Sequence, residues 1–267
     1  MLDHLAPARR RVVLGLIGLA CLAVVAIVAG VAVPRLVGSD PQVNPVAQKA
    51  QPPVLLVPGY GGSTGDLQPL AAALRASGRD VSIVQLAGNG TGDLNLQAAV
   101  LQSAVRRVAG PGGSVDLVGY SAGGIVVRLW VRDFDGGSFA RRIVTLGSPH
   151  HGTELASLAT DLAPDRCPAA CRQLATGSSL LRSLDAGDET PPGPAWVAIW
   201  TADDRVSTPP DTATLSGALD VEVQHVCPGH HVTHGQLPGD PVVMAMVLDE
   251  LRPTPPRMPP ASVCLSR

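Results

Sequence analysis

Short apolar runs of strand-favouring residues alternate with helical patterns between Pro53 and Leu251. The runs are PVLLVPG, VSIVQL, SVDLVGY, RIVTLGS, AWVAIWT and VEVQHV. Between them, apolar residues recur at helical spacing, as in Leu94, Ala98 and Leu101. Apolar strands that alternate with helices predict a mostly parallel central sheet with helices on both faces. The fold class expected for this chain is therefore α/β.

The pentapeptide Gly119-Tyr120-Ser121-Ala122-Gly123 lies where a predicted strand meets a predicted helix. The chain has 29 glycines in 267 residues, so this pattern arises by chance roughly 0.2 times in such a chain. A nucleophilic serine needs a histidine to take its proton, an acid to orient the histidine, and N–H donors for the oxyanion. The rest of the sequence must supply these groups.

Three histidines, His230, His231 and His234, lie in the loop before the last predicted helix. The order serine, acid, histidine requires the base at this place. We predict His234, which is closest to the start of the helix, with His231 as the alternative. The acid is expected after the strand AWVAIWT, where Asp203 and Asp204 are adjacent. We predict Asp203, with Asp204 as the alternative.

A glycine-rich turn, Gly59-Tyr60-Gly61-Gly62, follows the first predicted strand. Glycines allow backbone N–H groups to approach a ligand closely. The expected oxyanion donors are the N–H of Tyr60 and the N–H of Ala122, the residue after the serine.

The N-terminal part of the chain predicts export. Residues 1–11 form a basic, cytoplasmic segment, and residues 12–33 are uncharged. As a helix, this run would be about 33 Å long, enough to cross the hydrocarbon core of a bilayer. It favours a retained transmembrane anchor with an extracellular catalytic domain, and the alternative is a cleaved signal followed by secretion. A Pro-rich linker, residues 34–52, follows.

Four cysteines lie beyond the apolar N-terminal run, an even number that predicts two disulfides in an exported domain. Three pairings are possible. We favour Cys167 with Cys171 and Cys227 with Cys264. None of the cysteine and histidine spacings resembles a zinc site, so no metal is expected.

Composition excludes several function classes. The net charge is −2, which gives no electrostatic case for nucleic acid. The chain has a single lysine, Lys49, and no cofactor-binding motif, so chemistry that needs a positioned lysine is not expected and no cofactor is predicted. Residues 150–194 interrupt the strand–helix rhythm and are predicted to form a small lid. The Pro-rich tail, residues 252–267, is predicted to be extended.

Five stretches in order carry a family resemblance: VLLVPGYGGS, VDLVGYSAGG, VTLGSPHHGT, TADDRV and HGQLP. Together they resemble bacterial lipases and esterases of the α/β-hydrolase superfamily, above all the secreted actinobacterial type and the small class 2 triacylglycerol lipases. The resemblance covers residues 53–251 and implies a catalytic domain with the α/β-hydrolase fold. It implies Ser121 as nucleophile, Asp203 as acid, His234 as base, and Tyr60 and Ala122 as oxyanion donors.

This resemblance leads to an exported serine hydrolase that cleaves lipid or other acyl esters through an acyl-enzyme. An acyltransferase with the same three side chains and a catalytically silent surface-binding module on this fold remain alternatives. Tyr120 departs from the family, in which many members have His or Gln before the serine. Tyr120 is therefore a position at which to look for substrate preference.

Overall fold

The computed structural model describes residues 43–266, so the predicted anchor or signal segment, residues 12–33, lies outside them. The described part has six strands and eight α-helices. The strands are Val54–Val57 (β1), Val81–Ile83 (β2), Val115–Tyr120 (β3), Ala140–Leu146 (β4), Ala195–Trp200 (β5) and Leu219–Glu222 (β6). The helices are Gln68–Ala76 (α1), Leu94–Ala109 (α2), Ala122–Asp133 (α3), Glu154–Leu162 (α4), Ala169–Gln173 (α5), Ser179–Leu184 (α6), Val223–Val226 (α7) and Pro241–Glu250 (α8). None of the helices in residues 43–266 has both the length and the apolarity needed to span a bilayer.

The six strands form one sheet in the order β2-β1-β3-β4-β5-β6, and every neighbouring pair is parallel. The predicted parallel α/β architecture is therefore confirmed. In such a sheet all carboxyl ends of the strands lie at one edge, where ligands bind in open α/β folds. The turns after β1, β3, β4 and β5 consequently meet at this carboxyl edge.

Alternate residues of each strand point to opposite faces of the sheet, and both faces are apolar. On one face Leu55 and Leu117 pack with α2 and α3, whereas on the other Leu56 and Val118 pack with α1 and α8. Asp93 begins α2 because its side chain accepts a hydrogen bond from the N–H of Asn95. Each helix thus buries its apolar stripe against the sheet, and the strands are fixed in place below the carboxyl edge.

Charged residues are buried at the opposite, amino edge of the sheet. The carboxylate of Asp116 pairs with the guanidinium groups of Arg79 and Arg141. Arg141 also donates to the carbonyl oxygens of Gln48 and Leu251. Because a buried charge is tolerated only when it is paired and hydrogen-bonded, this cluster holds the chain entering β1 and the chain leaving α8 together.

Two expectations about the C-terminal third are corrected. The run VEVQHV was predicted to be a strand throughout, but β6 ends at Glu222 and a single helical turn, α7, follows. This turn directs the side chain of Gln224 back to Thr201 Oγ1, 2.9 Å away. The tail is not fully extended, since Ala261–Leu265 forms a 3-10 helix that is tied to the domain by the disulfide Cys227–Cys264.

The segment predicted as a lid, residues 150–194, contains three short helices, α4, α5 and α6. Leu181 and Leu184 of α6 are buried in the core cluster that covers α2 and α3. Arg128 of α3 donates to the carbonyl of Leu184 and to the carboxylate of Asp185, at 3.2 and 2.9 Å. The predicted disulfide Cys167–Cys171 is present in the same segment. These contacts bind the segment firmly to the domain.

Candidate active site

Ser121 lies between β3 and α3 in a conformation that residues other than glycine rarely adopt, with φ 52° and ψ −126°. Such backbone strain costs of order 1–3 kcal/mol and is concentrated at functional sites. The surrounding structure enforces it, since the N–H of Ser121 donates to Leu146 O at 2.8 Å. A Cβ on Gly123 would lie 2.3 Å from Val57 O, and one on Gly119 would lie 2.7 Å from Gly124 Cα. The two flanking glycines are therefore sterically required for this turn.

His234 faces the serine. Its Nε2 lies 2.9 Å from Ser121 Oγ. The residue begins a 3-10 turn, His234–Gln236, and is buried. The side chain of Gln236 fixes the start of this turn, because its Oε1 accepts hydrogen bonds from the backbone N–H and the hydroxyl of Thr233 at 2.9 and 2.7 Å. The imidazole is thus held in hydrogen-bond reach of the hydroxyl that it would deprotonate.

The acid beside His234 is Asp204, not Asp203. Asp204 Oδ2 lies 2.7 Å from His234 Nδ1, and the Asp204 side chain is 1% exposed. Asp203 points away to solvent, where its Oδ2 contacts Nδ1 of the exposed His231 at 2.9 Å. The expectation that Asp203 orients the histidine is therefore corrected to Asp204. His231, the alternative base, contacts Asp203 and makes no hydrogen bond to Ser121 among the described residues.

A local turn decides between the two neighbouring carboxylates. Asp204 Oδ1 accepts the backbone N–H groups of Val206 and Ser207, both at 2.8 Å, in an Asx-type turn. This arrangement leaves Oδ2 free to face the imidazole. On the other side, Thr201 Oγ1 accepts the N–H of Asp203 at 3.2 Å. The turn therefore buries the second carboxylate and exposes the first.

Gly147, directly after β4, is packed against this pair. Its φ is +55°, and an added Cβ would lie 3.2 Å from both Asp204 Oδ2 and His234 Nδ1. Its carbonyl oxygen accepts the hydroxyl of Ser207 at 2.7 Å. A glycine is needed here both for the left-handed backbone and for the close approach of the acid and the histidine.

The expected oxyanion donors lie on both sides of the serine. The turn after β1 touches it, since a Cβ on Gly59 would be 3.0 Å from Ser121 Cβ, and Tyr60 follows. Ala122 is the first residue of α3, where the N–H groups of a helix have no acceptor within the helix. Among the described residues, neither the N–H of Tyr60 in its turn nor the N–H of Ala122 at the helix start donates to a backbone acceptor in a turn or loop. Both N–H groups are thus available to a bound oxyanion.

Tyr120, the last residue of β3, lies beneath the histidine and not in the cleft. Its hydroxyl donates to the carbonyl oxygen of His234 at 3.2 Å, and the two ring centres are 5.4 Å apart. Burial, followed by the nearby Asp66 and Asp204 carboxylates, raises the pKa of Tyr120 to about 12. The hydroxyl therefore remains a proton donor at neutral pH. This position supports the histidine loop, and an effect of Tyr120 on substrate preference stays a prediction.

An open cleft of about 290 Å³ begins at Ser121 and runs along the inserted helices. Its wall is mostly apolar and is formed by Tyr60, Ser121, Pro149, Thr153, Leu155, Ala156, Ala159, Arg166, Cys171, Leu174, Val206 and Ser207. Beside it α4 presents three leucines to solvent. They are Leu155, Leu158 and Leu162, with 51%, 55% and 76% of their surface exposed. Sequence reasoning did not single out this apolar rim, although its spacing of three and four residues marks one face of a helix.

Within residues 43–266, neither histidine of SPHHGT is hydrogen-bonded to Ser121. His150 is fully buried, and burial, then Arg128 and His151, holds its pKa well below the usual range, so it is neutral. Its Nε2 lies 3.1 Å from Thr145 Oγ1. Within the described residues, one group of three potential metal-binding side chains has its ligand atoms within 4.8 Å of one another. It consists of His151, Asp185 and Glu189.

These three side chains already have protein partners. Glu189 contacts His151 Nε2 at 3.1 Å and accepts the N–H of Ser216 at 2.9 Å. Asp185 is paired with the guanidinium of Arg128 at 2.9 Å. A cation at this grouping would meet the positive charge of Arg128 at close range, so we interpret it as an ion-pair network.

Solved structures with this architecture include a lipase B from Aspergillus fumigatus, with a TM-score of 0.68 and 18% identity over 84% of this chain. The mature Bacillus licheniformis lipase BlEst2 has a TM-score of 0.63 and 20% identity, covering 80% of this chain and 96% of that one. A structure from work on the metagenome-derived lipolytic enzymes LipS and LipT has a TM-score of 0.57 and 16% identity, covering 79% of this chain and 99% of that one.

This chain has the α/β-hydrolase fold. It spans 59% of the length of the fungal lipase. Its sequence matches none of the known family profiles and none of the curated proteins. At these identities the likeness establishes the fold, and the activity must be argued from the site itself.

Proposed function

We propose that this protein is a serine hydrolase that cleaves carboxylic esters of lipid or other acyl substrates through an acyl-enzyme. The observation that carries the proposal is the continuous hydrogen-bonded chain from Ser121 Oγ through His234 to Asp204, with distances of 2.9 and 2.7 Å. This arrangement has the roles and geometry of a nucleophile, a general base and an orienting acid. It stands at the carboxyl edge of the sheet, beside an apolar cleft.

In the proposed reaction, His234 Nε2 takes the hydroxyl proton as Ser121 Oγ attacks the ester carbonyl. The oxyanion of the tetrahedral intermediate accepts hydrogen bonds from the N–H groups of Tyr60 and Ala122. The imidazolium, stabilised by Asp204, then donates the proton to the leaving alkoxide, which departs as the alcohol. Water, activated by the same histidine, attacks the acyl-enzyme and releases the acid.

The cleft supports an acyl substrate of apolar character. Leu155, Ala156 and Leu174 line it, and removing their surface from water on binding an acyl chain is favourable. We also propose that the chain is related to the secreted class 2 lipases of actinobacterial type. The five sequence stretches support this relationship. The cleft is open to solvent, so we expect only a small rate increase when the substrate forms micelles.

We also propose that the catalytic domain acts outside the cytoplasm. Two disulfides, Cys167–Cys171 and Cys227–Cys264, fit an oxidising compartment. Residues 12–33 would export the domain, either as a retained anchor or as a cleaved signal. Detection of residues 1–11 in the mature membrane fraction would distinguish the anchor from secretion.

The test of the activity uses the full-length chain and a series of p-nitrophenyl esters from acetate to palmitate. We expect hydrolysis, and labelling by a fluorophosphonate probe, that are both lost in Ser121→Ala. Ser103→Ala is the matched control, because Ser103 lies on the solvent side of α2 and bonds only the carbonyl of Ala99. Labelling that persists in Ser121→Ala, or hydrolysis unaffected by it, would contradict the proposal. Product analysis with an added alcohol separates hydrolysis from acyl transfer.

A further inference from the structure

One charged side chain lines the otherwise uncharged cleft beside Ser121. It is Arg166, on the 3-10 turn Pro164–Arg166 of the inserted segment. None of the acidic residues of the described chain lines this cleft. A guanidinium does not attract a neutral acyl chain, whereas it attracts a carboxylate or a phosphate group.

The Arg166 guanidinium differs from the buried arginines in having no carboxylate to neutralise it. Within residues 43–266, Arg128 pairs with Asp185, and Arg141 pairs with Asp116, whereas Arg166 has neither an ion pair nor a side-chain hydrogen bond. Arg106, on α2, is also unpaired but is fully outside the cleft. The five guanidinium N–H donors of Arg166, a residue that lines the cleft, therefore have no acceptor among the described residues.

The turn that carries Arg166 is held in place. The next residue, Cys167, is bonded to Cys171, which itself lines the cleft. The guanidinium of Arg172 donates to the carbonyl oxygen of Cys167 from the other side. The backbone of the turn is thus fixed against the cleft wall. Because the turn is already ordered, less conformational entropy is lost when a ligand binds the guanidinium.

We propose that the cleft selects acyl esters that carry a negative charge, a carboxylate or a phosphate, and that Arg166 is the residue that recognises this charge. The inference rests on the proposed ester hydrolysis and names the substrate class of that site. A guanidinium binds carboxylate and phosphate groups through paired N–H···O bonds. Arg166 is exposed to solvent, so we expect an attraction of the size of a surface ion pair, which salt weakens.

The test compares two soluble esters with the same leaving group, 4-nitrophenyl butyrate and mono-4-nitrophenyl glutarate, on the full-length chain. In Arg166→Gln we expect kcat/KM for the glutarate to fall about fivefold, the size of an exposed ion pair, with the butyrate changed less than twofold. Arg166→Lys should retain most of the preference, and Arg106→Gln should leave both values unchanged. Raising the salt from 10 to 500 mM should weaken the preference of the wild type and have little effect on Arg166→Gln.

A second pair of substrates locates the negative charge: monomeric dihexanoyl phosphatidylglycerol and dihexanoylglycerol. A loss in Arg166→Gln with the phospholipid alone assigns the charge to a lipid headgroup, and a loss with the glutarate alone assigns it to the acyl part. Equal rates of wild type and Arg166→Gln on both anionic substrates overturn the inference. Failure to hydrolyse any ester, with no labelling of Ser121, overturns the proposed function itself and is recognised by the missing label.

Discussion

In Asp204→Asn, an amide NH₂ group of nearly the same size replaces one oxygen of the buried carboxylate. The backbone N–H groups of Val206 and Ser207, each 2.8 Å from Oδ1, require an acceptor at that atom. The amide oxygen therefore takes this place. The amide nitrogen is left facing His234 Nδ1, at the position of the present Oδ2, 2.7 Å away.

An amide N–H can only donate, so His234 must present an unprotonated Nδ1 and carry its hydrogen on Nε2. An imidazole protonated at Nε2 cannot accept the proton of Ser121. In a serine protease the same exchange lowers kcat about 10⁴-fold, which corresponds to about 5.4 kcal/mol at 1.36 kcal/mol for each factor of ten. We expect a loss of about 10³ to 10⁴ in kcat here, with little change in KM.

The measurement is steady-state hydrolysis of 4-nitrophenyl butyrate, with thermal unfolding to verify that each variant is folded. Asp203→Asn is the matched control, because the Asp203 carboxylate contacts the exposed His231 and Gln224. We expect its kcat to change less than about threefold, as is usual for exposed pairs. The reasoning fails if both variants lose activity equally, or if Asp204→Asn keeps more than a tenth of the wild-type kcat.

Three further predictions concern residues away from the proton transfer. Tyr120→Phe removes the hydroxyl that supports His234 O at 3.2 Å, so kcat should fall about two- to tenfold at constant KM; a change in KM alone would place Tyr120 in substrate binding. Burial raises the pKa of Glu250 to about 7 from 4.5, so this carboxyl destabilises the fold progressively from pH 4.5 to 7. The unfolding free energy of Glu250→Gln, measured with urea, should therefore rise by roughly 2–3 kcal/mol relative to that of the wild type between pH 4.5 and 8. A difference between the two proteins that does not change with pH would refute this. Replacing Cys227 and Cys264 by serine opens a loop with a separation of 37 residues, which should lower the unfolding free energy by roughly 3–4 kcal/mol, measured by the same method.

Local sequence was sufficient for the fold and for the bend at Ser121. The bend depends on a strand, a helix and two glycines that are adjacent in the chain, so each could be recognised from neighbouring residues. The disulfide Cys227–Cys264 was predicted and is confirmed, because the closing helix returns the tail toward the loop after the last strand.

Sequence could not separate Asp203 from Asp204, because both follow β5 and both have the right chemistry. The choice depends on which carboxylate accepts the N–H groups of Val206 and Ser207, a matter of turn geometry. The only local hint is that Ser207 follows Asp204 by three residues, since its N–H donates to Asp204 Oδ1 and its hydroxyl donates to the carbonyl oxygen of Gly147. The position of Tyr120 under the histidine could not be predicted either. It depends on the face of the sheet to which Tyr120 points and on a contact with His234, which is 114 residues away in the sequence.

The position of His234 depends on both edges of the sheet. Its loop is attached at one end by Cys227 and at the other by α8, whose first turn is capped by the carboxylate of Asp240. The far end of α8 is held at the amino edge, where Arg142 donates to the carbonyl oxygen of Glu250 and to Thr254 O at 2.7 Å.

A helix transmits a displacement of one end to the other because it is a rigid rod over ten residues. Loosening the arginine contacts would thus shift the start of α8 and, through His230 bound to Asp240 at 3.0 Å, the loop that carries the histidine. We therefore expect that loosening these buried arginine contacts at the amino edge would disturb the 2.9 Å distance between His234 Nε2 and Ser121 Oγ at the opposite edge. A misplacement of about 1 Å there costs on the order of 10²-fold in rate.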